Sequence, residues 1–254
     1  MDSTETVIET RKVTKEFNGF VAVDEVSYSL RKGEVAGIIG PNGAGKSTFF
    51  NLLTGLFAPT VGQVFYQGKD ITHIPSYDRV QLGLVRTFQL VAVFESLTVL
   101  DNLVLSNIRF REPYANKRQF YLYSSHRPQI EELCWKSLKM VGIDHMAHLK
   151  VSKLSYGDKR KLEIAVALSL DPTVLLLDEP FAGLSDAEIG DVLTLIDSIK
   201  DSFSIIIIEH KISQLVHLVK RLSVMHEGRL IADGVPDAIL NDPTVRQVYW
   251  GVKE

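Results

Sequence analysis

Apolar positions along the chain fall into two regimes. In the first third they come as short Val- and Ile-rich stretches broken by turn residues. This predicts strands at 7–14, 22–30 and 34–39, punctuated by Asn18-Gly19 and Lys32-Gly33. A glycine-rich loop follows, then an apolar segment at 47–54 that reads as a helix, then a strand at 62–67 ended by Gly68-Lys69-Asp70. From about 78 to 142 the pattern is mostly helical, with clear segments at 99–108 and 131–141. Between these, 109–127 is polar and aromatic, with Pro113 and Pro128 as breaks, and reads as a loop or small helical insertion. A helix from 155 to about 170 stops before Asp171-Pro172, and strand, helix and strand follow at 174–177, 186–200 and 204–208. Uniformly apolar strands separated by a helix mark a βαβ unit and a parallel sheet buried on both faces. The predicted class is α/β: a parallel-sheet core, an N-terminal antiparallel β layer and an inserted helical subdomain at about 78–165, within one domain spanning 1–254.

Composition changes this picture little. Of the 254 residues, 45% are hydrophobic and 23% charged, which excludes a disordered or fibrous chain. The formal charge of −3 argues against nucleic-acid binding through bulk positive charge. One cysteine, Cys134, offers neither an internal disulfide nor a zinc site and reads as a small apolar helix residue. The apolar runs at 174–177 and 205–208 fall far short of the roughly 20 residues that span a bilayer. The polar, acidic opening does not read as a secretory leader, so a cytoplasmic location is expected.

Gly40-Pro41-Asn42-Gly43-Ala44-Gly45-Lys46-Ser47 matches the phosphate-binding pattern G-x-x-x-x-G-K-[ST], with an apolar strand before it and a helix after it. Glycines let backbone N–H groups turn inward onto phosphate oxygens, and the helix N-terminus adds its positive dipole end. Lys46 is suited to the terminal phosphates and the Ser47 hydroxyl to Mg²⁺, with Thr48 completing the nucleotide-binding set. Further on, the strand Val174-Leu175-Leu176-Leu177 ends in Asp178-Glu179-Pro180. Beside a P-loop, Asp178 is placed to ligate Mg²⁺ and Glu179 to act as general base toward water. The expected ligands are ATP and Mg²⁺.

Leu154-Ser155-Tyr156-Gly157-Asp158, lying before that acidic pair, resembles the signature of ATP-binding cassette (ABC) ATPases. Gln89 in Arg86-Thr87-Phe88-Gln89 is similar to the Q-loop glutamine, His210 in Ile208-Glu209-His210 to the switch histidine, and Phe17 to the aromatic that stacks on adenine. The resemblance covers nearly the whole chain and implies the P-loop ABC ATPase fold. It implies that Ser155, Tyr156 and Gly157 meet the γ-phosphate held by a second subunit, with two ATPs in a head-to-tail dimer. It further implies that Gln89 touches Mg²⁺ and the water, that His210 contacts the γ-phosphate, and that a permease helix docks between Gln89 and Asn102. The absence of an NKxD motif and the implied stacking of Phe17 on adenine argue against a GTPase.

Two positions depart from the pattern. Asp158 replaces the usual glutamine, and its side chain is expected to point away from phosphate while stabilising the helix start. Ser185 stands where an aspartate is usual, with Asp186 one residue later. The run Lys159-Arg160-Lys161 is either a solvated face or a set of partners for phosphate or carboxylates. Residues 94–103, 154–165 and the ending around Val248-Tyr249-Trp250-Gly251 resemble the branch that serves branched-chain and other hydrophobic amino-acid importers. That branch implies transmembrane permease subunits, a second ABC ATPase, identical or different, a substrate-binding protein acting through the permease, and a place on the cytoplasmic face of the membrane. The alternatives are a lipopolysaccharide-export or urea/amide transporter ATPase and, in another class, a soluble ABC ATPase acting on nucleic acid or ribosomes.

Overall fold

The computed structural model describes residues 5–87, 93–111, 128–210 and 212–250. Two sheets form its frame. The first is antiparallel, in the order β2-β1-β4-β5, from β1 (Thr6–Phe17), β2 (Phe20–Arg31), β4 (Val61–Tyr66) and β5 (Lys69–Asp70). The second runs β10-β9-β3-β8-β7-β6, from β3 (Val35–Ile39), β6 (Leu84–Arg86), β7 (Val174–Asp178), β8 (Ser204–Ile208), β9 (Arg221–His226) and β10 (Arg229–Gly234). All its neighbours pair in parallel except β10, which is antiparallel to β9.

The apolar runs are continuous because both faces of this sheet are covered. Val174, Leu176, Ile206 and Ile208 face the layer that contains α1 (Lys46–Thr54) and the first sheet. Leu175, Leu177, Ile205 and Ile207 face the helices α3 (Val99–Arg111), α4 (Pro128–Met140), α5 (Tyr156–Ser169) and α6 (Asp186–Ile199). Helix α1 is thus held between two sheets by Phe49, Phe50, Leu52 and Leu53, each without exposed surface. Burying side chains of this size stabilises by about 1.5–3 kcal/mol each. The remaining α-helices of the described chain are α2 (Ser76–Gln81), α7 (Ile212–Leu215), α8 (Pro236–Leu240) and the longer α9 (Pro243–Trp250).

Most predicted elements sit within a residue or two of their observed bounds. Strand β6 is the exception inside the helical region: Leu84–Arg86 pairs with Val174–Leu176 and forms the sheet edge. It is too short to show a period. The polar stretch 109–127 lies largely outside the described residues.

One buried cation fastens α1. Arg79, on α2, has no exposed surface, and burial pushes its guanidinium down to about 10, with Asp70 working against the shift. It donates to the carbonyls of Leu52 and Leu53 at the end of α1, both at 2.8 Å, and to those of Ile71, Thr72 and Ile74. These carbonyls include orphans of the helix C-terminus, which cannot find intrahelical donors. Arg79→Met is expected to lower the unfolding free energy by about 3 kcal/mol. Denaturant unfolding checks this, and a loss under about 1 kcal/mol would show that the carbonyls find other donors.

Candidate nucleotide site

Strand register brings the site together. Asp178 lies opposite Ile208, and Ile208 opposite Ile38, so β3, β8 and β7 end nearly level. The Glu179 N–H donates to the Ile208 carbonyl and the Glu209 N–H to the Ile38 carbonyl. The segments that follow these strands carry the P-loop, Asp178-Glu179 and Glu209-His210, and all three leave from the carboxyl edge of the sheet, where ligands bind in open α/β folds.

Two P-loop glycines are demanded by close approach. A Cβ on Gly40 would stand 2.3 Å from the Met225 carbonyl oxygen, and one on Gly45 2.5 Å from that of Ala22. Gly45 also has φ 97°, a left-handed conformation that costs glycine least, and it caps α1. Lys46 is buried, and its ammonium donates to the carbonyls of Gly40 (2.6 Å) and Pro41 (3.0 Å). Burial lowers its pKa, opposed by the charges of Glu179 and Asp178. A cavity of about 350 Å³ is lined by residues 42–48 with Glu179, His210, Phe20 and Ala22.

Asp178 has no exposed surface. Its Oδ2 accepts from Arg86 Nη2 at 2.5 Å, while Oδ1 is buried with no hydrogen-bond partner among the described residues. An uncommitted carboxylate oxygen, together with the Ser47 hydroxyl on α1, forms a hard oxygen donor set suited to Mg²⁺. No cluster of three or more His, Cys, Asp or Glu that could hold a metal occurs among the described residues. Glu179 follows in a left-handed conformation, φ 47°, and its Oε1 lies 2.8 Å from His210 Nε2. Glu209, absent from the sequence-based site, is a buried carboxylate that accepts from the N–H of Phe181 (2.8 Å) and of His210 (2.9 Å). It ties the segments after β7 and β8 to each other.

The signature residues Ser155, Tyr156 and Gly157 lie at the start of α5 and do not line the P-loop cavity. Ser155 caps the helix by accepting from the Asp158 N–H, and its hydroxyl donates to Asp158 Oδ2 at 2.8 Å. The Asp158 side chain is turned back onto Ser155 at the helix start, because a serine and an acid three residues apart close a reciprocal cap. Ser185 caps α6 in a related way: its N–H and hydroxyl both donate to Glu188 Oε2. The other oxygen of Glu188 accepts the Gly157 N–H at 3.0 Å, joining the signature to the segment after Glu179. These bonds, chiefly the Ser185 hydroxyl, hold the Glu188 carboxyl below the usual carboxylate range. Lys159, Arg160 and Lys161 pair with Glu95, Glu163 and Asp191, so the cationic run has carboxylate partners within the chain.

Phe17 sits apart from the cavity, its ring edge-on to Phe57 at 5.4 Å with the Lys15 ammonium 5.1 Å away. Phe20, across the hairpin and exposed, is the aromatic that lines the cavity. Gln89 lies outside the described residues.

Fold and site together define a P-loop nucleotide-binding protein. The chain belongs to the ABC transporter family, whose model matches residues 23–182. It is 35% identical over 241 residues to the high-affinity branched-chain amino acid transport ATP-binding protein LivG of Escherichia coli, covering 92% of this chain and 94% of that protein. It is 32% identical over 249 residues to the corresponding protein BraF of Pseudomonas aeruginosa, covering 96% of this chain and 98% of that one. Among solved structures, an ATP-binding cassette of an ABC transporter in its ADP conformation superposes with a TM-score of 0.86 at 32% identity, covering 98% of this chain and all of that one. A nucleotide-free cassette gives 0.85 at the same identity and coverage of this chain. The chain is an ATP-binding, ATP-hydrolysing subunit of this transporter class.

Because Asp158 is spent on the helix start, Asp158→Gln is expected to leave ATP hydrolysis within about threefold of wild type, since glutamine at that position also closes the reciprocal cap. Steady-state phosphate release checks this. A loss beyond about tenfold would give the carboxylate a specific task, since it equals roughly 1.4 kcal/mol of transition-state stabilisation.

Proposed function

We propose that this chain hydrolyses MgATP at the cytoplasmic face of the membrane to drive import of branched-chain or other hydrophobic amino acids through permease subunits that it docks. The observation that carries the catalytic part is the shared cavity: Lys46, Ser47, Glu179 and His210 line one space beside the buried Asp178. Backbone N–H groups of the P-loop cradle the phosphates, and the Lys46 ammonium leaves its loop carbonyls for the terminal phosphate. Asp178 and Ser47, with Gln89, would hold Mg²⁺, which would supply neutralisation of phosphate charge. Glu179 takes the proton of the attacking water as that oxygen bonds to the γ-phosphorus and ADP departs. His210 Nε2 lies 2.8 Å from Glu179 Oε1 and orients that carboxylate in the cavity.

The signature residues lie outside this cavity, which supports completion of each site by Ser155, Tyr156 and Gly157 of a second ABC ATPase, identical or different. Phe17 supplies the adenine platform in this reading, once its ring leaves Phe57. For the permease, a second cavity of about 370 Å³ opens between α2, β6, α3 and α5 and is mainly apolar. Tyr77 and Phe94 are exposed at its rim and Asn102 lies within it. An exposed apolar groove of this kind fits a helix from a partner. The helical region at 78–165 would serve as the docking subdomain. No described helix is long and apolar enough to cross a membrane. The relatives' names support the amino-acid substrate, and a substrate-binding protein would act through the permease. No nucleic-acid partner is proposed.

Glu179→Gln is expected to bind ATP normally and hydrolyse it at least about tenfold more slowly, the contribution of a general base being about 10²–10⁴-fold. Near-normal turnover would remove Glu179 from that role. Lys46→Ala should weaken nucleotide binding itself, read by titration with a fluorescent ATP analogue, and unchanged affinity would count against the P-loop assignment.

Docking is tested by purifying the tagged chain from its native membranes in mild detergent. Two permease-like subunits and a second ATPase should accompany it, and Phe94→Glu should release them while ATP affinity stays within about twofold, since a buried charge at an apolar contact costs several kcal/mol. Recovery of the chain alone from the soluble fraction would overturn the transport reading.

A further inference from the structure

Arg86 has no place in the P-loop, acidic-strand or signature motifs, yet it bridges three elements. It ends β6, the edge strand, and its side chain is largely buried. Nη2 donates to Asp178 Oδ2 at the end of β7, and Nη1 donates to Asn51 Oδ1 on α1 at 2.6 Å. The guanidinium also lies 5.5 Å from the centre of the Phe50 ring, again on α1. A planar fork with donors at fixed angles sets the separation of the groups it joins, which a lysine cannot do. Those groups are the two elements that carry the proposed metal donors, Asp178 on β7 and Ser47 on α1.

The division of labour on Asp178 follows from the same contact. With Oδ2 committed to Arg86, the carboxylate cannot rotate freely, and Oδ1 is the oxygen left without a partner. Leaving a buried carboxylate oxygen unsatisfied is costly, so an uncommitted one held in place marks a position kept for a ligand. We infer that Arg86 is a positioning residue for the metal site: it fixes the Asp178 carboxylate against α1 so that Oδ1 faces the same ion as the Ser47 hydroxyl. The inference rests on the reading of Asp178 as a Mg²⁺ ligand. Arg86 also lines the apolar cavity proposed for the permease helix, so one residue touches both sites.

The test compares the affinity of the full chain for a fluorescent ATP analogue with Mg²⁺ and with EDTA, giving a Mg²⁺ enhancement that needs no turnover. Asp178→Asn sets the reference and should abolish the enhancement. Arg86→Gln should reduce it at least about fivefold while affinity in EDTA stays within about twofold, and Arg86→Lys should fall between it and wild type. A merely structural arginine would lower both affinities together, which overturns the inference. An enhancement that is unchanged or larger in Arg86→Gln overturns it too, because a cation that only repelled the ion would give that result. Should Arg86→Gln fail to fold, Asn51→Ala removes the other end of the bridge and should reduce the enhancement at least about twofold; no change there is again contrary. If Asp178→Asn retains the enhancement, the reading of Asp178 fails instead, and the two failures are told apart.

Discussion

Three parallel strands ending level at one edge are the constraint on which the site depends. Opposite residues Ile38, Ile208 and Asp178 fix the heights of β3, β8 and β7, and the N–H groups of Glu179 and Glu209 extend the ladder one step beyond them. Because side chains alternate along a strand, a slip of one residue in β7 would exchange its two buried faces and carry Asp178 out of place. Both faces are already committed to packing, with Leu175 and Leu177 toward the helices and Val174 and Leu176 toward α1 and the first sheet. The core therefore enforces the register, and the register brings together the P-loop, Asp178-Glu179 and His210.

Charge at this edge is tolerated only because it is matched. Asp178 is buried against Arg86, Lys46 is held by loop carbonyls, and Glu209 receives two backbone N–H groups. Each would carry a large desolvation cost if left without such partners.

Legibility in the sequence followed locality. The P-loop, the strand ending in Asp178 and the strand 204–208 depend on contiguous residues, and their patterns read directly. The edge strand Leu84–Arg86 and the hairpin of β9 and β10 did not read: the first is too short to show a period, and the second follows no motif. Arg86, Glu209 and Arg79 were missed for a different reason. Their partners are set by tertiary packing, with Arg86 meeting Asp178 across 92 positions of chain. A buried arginine has no local signature. Ser185, which departs from the usual aspartate, caps α6 by pairing with Glu188.

Two features of the chain do not meet among its described residues: the P-loop cavity lined by Glu179 and His210, and the segment Ser155–Gly157 at the start of α5. The link from Gly157 through Glu188 to Ser185 joins the second feature to the segment that leaves the first. The most direct test is the rate of ATP hydrolysis per chain as the concentration of the purified protein is raised from nanomolar to tens of micromolar with saturating MgATP. Completion of each site by another subunit predicts a rate per chain that climbs with concentration before levelling. A rate per chain that is constant across the whole range would show that one chain holds a complete site, and would contradict the account.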